Sequence, residues 1–198
     1  ASELPERPGA LVPGTKTPRE RPLDRGWTFL PDPDRVGESE RWFASDHTRA
    51  HWRPVEVPRA WDLQNPAMAG YEGVGWYAVT IPSQQLGSEL VHRVRFEAVY
   101  YEAKVWLDGE LVGASVAPYL PFDVPVAARA SGGPRTLVVR IDNRPTDDRL
   151  PGTTVIEWPL WGGILQPVRL VSTARSYLAD LAVDARPSEA EGARVGIT

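Results

Sequence analysis

The pattern that most limits the fold is a period of two that recurs along the chain and is repeatedly broken by turn residues. In 93–98, Val94, Phe96 and Ala98 alternate with Arg93, Arg95 and Glu97, so a strand there has one apolar and one wet face. In 136–142, Leu137, Val139 and Ile141 alternate with Val138, Arg140 and Asp142, and in 166–172 Val168 and Leu170 flank Arg169. Residues 76–81 read as a further strand, and Trp52 to Pro58 is extended and bounded by proline. Segments 103–107 and 110–113 flank Asp108-Gly109. That pair is the strongest short hairpin signal, because both central residues of a type I′ turn need φ > 0. A helical period is nearly absent; ESERWFAS at 38–45 is the one short helix expected. Twenty prolines and 17 glycines suit a chain of many turns. Short strands joined by turns make an all-β sandwich or barrel.

The remaining totals exclude partners and chemistries. The 198 residues suffice for one domain and part of another. The net charge is −4 and no basic run or stripe occurs, so nucleic acid is not an expected partner. There is no cysteine, which removes disulfides and thiolate metal sites but leaves the compartment open. His47, His51 and His92 are too few and too dispersed for a metal site and read as exposed loop residues. No metal or other cofactor is expected. No apolar stretch approaches the roughly 20 residues of a membrane-spanning helix. The first residue is Ala1, which reads as a processed or cut terminus, after signal-peptide removal or at an arbitrary boundary.

Along the chain, residues 1–22 are rich in Pro, Gly and charge and read as a mobile arm or a surface strap. Ordered structure is expected from Leu23, and Ala174-Arg175 reads as a joint. Residues 177–185 alternate afresh, a polar turn follows, and a second strand begins at Arg194. Either this is a self-contained C-terminal hairpin or it opens a second β domain; the second reading is adopted. The domains expected are therefore an arm (1–22), a sandwich (23–174) and the start of another unit (175–198).

Seven segments occur in an order that resembles one family. They are LDRGWTF, WRPVEVPRAW (52–61), YEGVGWY (71–77), VRFEAVYYEAKVWLDGELVG (94–113), PYLPFDV (118–124), LVVRIDN (137–143) and WGGILQPVRL (161–170). Together, over roughly 23–172, they resemble the N-terminal sugar-binding domain of a family 2 glycoside hydrolase, the group of β-galactosidases, β-glucuronidases and β-mannosidases. The resemblance implies a galactose-binding-like jelly-roll β-sandwich, followed by the first strands of an immunoglobulin-like sandwich and then a (β/α)₈ barrel with the active site. It also implies a non-catalytic role for this part of a retaining β-glycosidase. Three positions depart from the family pattern: Ala114–Pro118 replaces a glycine-rich approach, Gln166 stands where Arg is usual, and Glu157 stands for Asp.

Retaining hydrolysis needs two carboxylates about 5–5.5 Å apart. No such pair is assigned here, because Glu97 lies on the wet side of its strand and a pair with Glu102 has no support; catalytic residues are none, and the chain alone is expected to be inactive. What the resemblance does imply is a rim. Glu157 would reach a sugar hydroxyl through a charge-assisted bond and Trp158 would wall the site with its large ring. Glu72, beside Tyr71, is a further rim candidate, against a plain turn with a packed Tyr71. The alternative is that Glu157 is a solvated loop acid and the tryptophans cap the sandwich; for Trp161 the cap is the reading adopted. Trp106, on the other side of its strand from Val105 and Leu107, would pack under a strap or a neighbouring domain, or serve as an exposed platform. Trp27, Trp52, Trp61 and Trp76 are assigned to core and loop anchoring, and Asp142-Asn143 to a turn. The expected partners are a β-glycoside, the chain's own downstream domains and a second copy in a homo-oligomer. A free-standing carbohydrate-binding module and a purely structural domain are the competing functions.

Overall fold

The computed structural model describes residues 18–150, 152–153, 159–177, 183–188 and 192–197. The strands, in chain order, are β1 (Arg19–Pro22), β2 (Thr28–Asp32), β3 (Arg53–Pro54), β4 (Val74–Ile81), β5 (Val91–Phe96), β6 (Val99–Tyr100) and β7 (Glu102–Leu107). They continue with β8 (Glu110–Ser115), β9 (Phe122–Val126), β10 (Arg135–Asp142), β11 (Gly163–Ile164), β12 (Val168–Thr173), β13 (Val183–Ser188) and β14 (Gly192–Ile197). Among the described residues the helical elements are short 3₁₀ turns, at Trp61–Leu63, Pro66–Met68 and Ser83–Gln85.

Two antiparallel sheets form the sandwich. One runs β1-β12-β5-β9 and the other β3-β2-β4-β10-β7-β8. The sequence period decides which side chains meet between them. Val94 and Phe96 of β5, Val124 and Val126 of β9 and Val168 and Leu170 of β12 face Tyr77, Val79 and Ile81 of β4, Val105 and Leu107 of β7 and Leu137, Val139 and Ile141 of β10. The hairpin at Asp108-Gly109 forms as expected, with φ of 50° and 91°. The Asp108 carboxylate also accepts from Thr136 N at 2.7 Å, which ties the turn to the neighbouring strand.

The outer face of the six-stranded sheet is covered, as the strap reading of Trp106 expects. Trp76 and Ala78 of β4, Trp106 of β7 and Val138 of β10 form a second apolar cluster with Trp42 and Trp52 from the segment that follows β2. Trp106 lies 5.4 Å from Trp76 and stacks on Phe43 at 4.9 Å, so it is a strap contact and not a platform. Asp32 anchors that strap by accepting from Val36 N (2.9 Å), Gly37 N (3.0 Å) and Trp76 Nε1 (2.9 Å). The helix expected at 38–45 is absent. The strap is a series of turns in which Arg41 takes φ 56°, a left-handed conformation that ends any helix.

Two further expectations change. His92 is buried, not exposed in a loop, with Nδ1 2.8 Å from Ser172 Oγ and Nε2 2.9 Å from Gly87 O. Arg19–Pro22, the described end of the expected arm, pairs with β12 as an edge strand. After β12, β13 and β14 pair with each other, and among the described residues with no other strand.

Candidate functional site

One end of the sandwich gathers the loops that carry chemistry. There β5 gives way to β6, β10 ends at Asp142, β4 begins at Val74, and β11 leads into β12. Trp61 is its post. The side chain is 0 % exposed, its amide donates to Gly162 O at 3.0 Å, and its indole Nε1 donates to Tyr71 O at 3.2 Å. The ring packs 5.8 Å from Phe29 and 5.7 Å from Tyr71. This explains the Gly-Gly pair. A β-carbon on Gly162 would enter the Trp61 indole and lie 2.7 Å from Asn143 Nδ2, and Gly163 has φ 110°.

Two polar side chains hold the loops around that post. Asp62 accepts from Gly70 N and from Gly162 N, each at 3.1 Å. Asn143, 1 % exposed, donates through Nδ2 to Leu160 O (3.1 Å) and Tyr71 O (3.2 Å) and accepts at Oδ1 from Gly73 N (2.8 Å). Loop backbones carry polar groups that burial would leave unpaired, so buried amide and carboxylate side chains supply their partners here. Asn143 is structural, as expected, but it is a buried clamp that joins the loop at 71–73, 70 residues before it, to Leu160, 17 residues after it, and not a simple turn residue.

The nearby acids are engaged. Burial pushes the Asp142 carboxyl up, but hydrogen bonds from Arg144 and the charges of Arg144 and Arg140 outweigh it and hold the group below the usual carboxylate range. Glu102 meets Arg149 at 2.6 Å and Arg140 at 3.6 Å. Glu97 meets Arg95 at 3.3 Å and Arg169 at 3.6 Å.

Beside the clamp lies an aromatic group. Tyr100, Tyr101 and Leu160 are buried together with Leu165 packed on them. The Tyr100 ring centroid is 5.2 Å from Tyr101 and 5.1 Å from Tyr119. Burial first, then Tyr119, Tyr101 and Glu72, push the Tyr100 hydroxyl up to about 12, so it stays a neutral donor. Glu72 lies between Tyr71 and Gly73, whose backbones Asn143 holds at this same loop end. It is exposed and has no hydrogen-bond partner among the described residues.

Glu157 and Trp158 lie outside the described residues. Trp161 is 47 % exposed and does not cap the sandwich; the buried place next to it belongs to Leu160. Tyr71 is packed, with its hydroxyl donating to Val74 O at 2.9 Å. The sequence reading did not single out Tyr100, Tyr101, Tyr119, Asp62 or Leu160. The available signals were the tyrosine pair directly after a strand and a tyrosine held between Pro118 and Pro121. Among the described residues, this end offers the exposed acid Glu72, tyrosine hydroxyls and the exposed rings of Trp161 and Tyr119 beside a hydrogen-bonded backbone.

The fold and this loop end define an antiparallel jelly-roll β-sandwich with polar and aromatic groups at one mouth. A family model for glycosyl hydrolases family 2, sugar binding domain, matches residues 21–172, and the chain belongs to that family. It is 27% identical over 139 residues to the β-galactosidase BoGH2A of Bacteroides ovatus, covering 64% of this chain and 16% of that protein. It is 23% identical over 185 residues to a β-galactosidase of Priestia megaterium, covering 81% of this chain and 17% of that protein. Among solved structures, a β-glucuronidase of an uncultured Clostridium species superposes with a TM-score of 0.76 at 22% identity, over 95% of this chain and 34% of the other. The chain spans about one sixth of the length of the curated relatives it matches.

Proposed function

We propose that this chain is the non-catalytic carbohydrate-binding and structural domain of a retaining β-glycosidase, with catalysis in a downstream (β/α)₈ barrel. The observation that carries the reading is the clamp of Trp61, Asp62 and Asn143 on the 160–163 backbone. It fixes the described backbone that follows Glu157 and Trp158 in sequence, at the end of the sandwich that also carries Tyr71 and Gly73. Asp62, Asp142 and Glu102 each serve backbone groups or arginines, so none is free to move a proton in a hydrolysis. In this reading Glu157 accepts from a sugar hydroxyl, Trp158 walls the pocket and Glu72 contributes to its rim. Residues 23–174 with the edge strand at Arg19–Pro22 form the binding domain, and β13 and β14 open an immunoglobulin-like domain.

The test is hydrolysis of aryl β-galactoside, β-glucuronide and β-mannoside by the full-length protein and by this chain in parallel. Activity in the first and none in the second is expected. In the full-length protein, Glu157→Gln should lower kcat/KM about 10-fold or more, as loss of a charge-assisted hydrogen bond of about 1.5–3 kcal/mol implies. Activity in this chain alone would sink the non-catalytic reading, and unchanged kinetics in the variant would remove Glu157 from the site.

A further inference from the structure

Val171 and Thr173 of β12 alternate with the core residues Leu170 and Ser172 and so point to the outer face of the four-stranded sheet. They are nonetheless only 2 % and 3 % exposed. The outer face is therefore covered where β12 ends. Across the sheet Val171 pairs with Glu20 of β1 and Arg93 of β5, and Thr173 pairs with Val91.

Arg93 is the residue of this group that reaches beyond the sheet. Its Nε meets Asp123 of β9 at 2.9 Å, which fixes the guanidinium on the outer face. Its Nη1 is out of contact with solvent and has no hydrogen-bond partner among the described residues. A buried N–H without a partner is costly. What the guanidinium has instead is a ring: it lies over Tyr177, 5.3 Å from the centroid. Within about 6 Å a guanidinium is attracted to the negative face of an aromatic ring. Arginine suits both contacts, because its plane bonds a carboxylate while its face stacks on a ring. Tyr177 lies four residues past the end of β12, in the stretch 174–177 that leads from the sandwich towards β13 and β14. Its side chain is 45 % exposed, with one side on Arg93.

We infer that Arg93 is a latch for this joint. Asp123 holds the guanidinium, the guanidinium holds the Tyr177 ring, and the chain is pinned to the outer face of the four-stranded sheet as it leaves β12. That face is an intramolecular docking surface, and its occupant is the joint at 174–177. Units of one chain move against each other by default unless a contact restrains them, and the Arg93–Tyr177 pair is the restraint here. The latch is built from contacts within this chain alone and does not depend on the glycosidase reading.

Trypsin reads the latch. Arg175 is exposed and precedes Tyr177 by two residues, and cleavage after it requires the joint to lift off the sheet. The experiment is limited trypsin digestion of the full-length protein, with mass spectrometry following the new N-terminus at Ser176. Tyr177→Ala should speed that cleavage about 2–5-fold, the shift in open population that about 0.5–1 kcal/mol of cation–π contact converts to. Tyr177 lies outside every buried cluster, so its replacement leaves the sandwich packed. Arg93→Met is remote in sequence from the bond that trypsin reads and should speed cleavage by a similar factor. The double variant should cleave no faster than the faster single one, because each single change already removes the pair. Tyr177→Phe keeps the ring and should keep the wild-type rate. Unchanged cleavage in Tyr177→Ala overturns the latch. So does a double variant whose acceleration is the product of the two single ones. A rise at every tryptic site alike also overturns it, since that reports a loosened sandwich and not a released joint.

Discussion

Replacing Gly162 by alanine tests whether the clamp is as tight as its geometry. The new β-carbon would enter the Trp61 indole and come within 2.7 Å of Asn143 Nδ2. Trp61 has no room to retreat. It is fully buried, bonded at Nε1 to Tyr71 and at its amide to Gly162, and packed on Phe29. Overpacking of this kind costs about 1–3 kcal/mol. Displacing Asn143 from Leu160 O adds about 0.5–1.5 kcal/mol for one net hydrogen bond. The sum is about 1.5–4.5 kcal/mol, which at about 2–4 °C per kcal/mol for a domain of this size lowers Tm by about 3–18 °C. Thermal unfolding followed by tryptophan fluorescence reads the shift. Gly87→Ala is the control, since its β-carbon would meet only Leu90 at 4.0 Å. That change should stay within about 0.5 kcal/mol. A Gly162→Ala Tm within about 2 °C of wild type would refute the close approach of Trp61 to the loop.

Two further outcomes check the strap. Trp106→Ala removes a buried ring stacked between Phe43 and Trp76 and should cost about 3–5 kcal/mol in urea unfolding; a loss below about 1 kcal/mol would mean that the strap does not cover the sheet. Burial first, then Arg49 and His51, hold the His47 imidazole below its ordinary pKa against the opposing charges of Glu40 and Asp46. The unfolded chain therefore binds a proton at His47 before the folded one does. The associated stability is present above about pH 6.5 and is lost as pH falls through the lowered value. His47→Gln should flatten the fall in stability between about pH 7 and 5, and an unchanged slope would show that another group sets it.

The inner half of the fold was legible because a half-buried strand writes its two faces into alternate residues. Val94 and Phe96, or Leu137, Val139 and Ile141, report one buried face directly. The same rule placed His92 in phase with Val94 and Phe96, on the face that proves buried, although the residue was read as a loop histidine. The second covered face was harder to see. A strap of turns has no period, and its packing shows only as tryptophans scattered at 42, 52, 76 and 106. The helix expected at 38–45 fails at Arg41, whose left-handed backbone interrupts it in mid-segment.

The candidate site was legible in its motif and not in its supports. Gly-Gly between aromatic residues announced a close backbone approach, but nothing local says that Trp61, about 100 residues earlier, is what approaches. Asn143 likewise looks like a strand-end turn residue until the loops at 71–73 and 160 close on it. These supports divide the carboxylates by burial. An acid drawn into the loop end must be paired or bonded, because an unpartnered buried charge is costly, and Asp62, Asp142 and Glu102 all obey that rule. An acid left at the surface escapes it, and Glu72 remains available to a ligand. The same division separates the rings: Trp61 and Tyr100 are buried as supports, while Trp161 and Tyr119 keep about half of their surface open. Among the described residues, the loop end thus holds its backbone with buried polar groups and leaves Glu72 and two rings at the surface, an arrangement that suits the carbohydrate ligand proposed above.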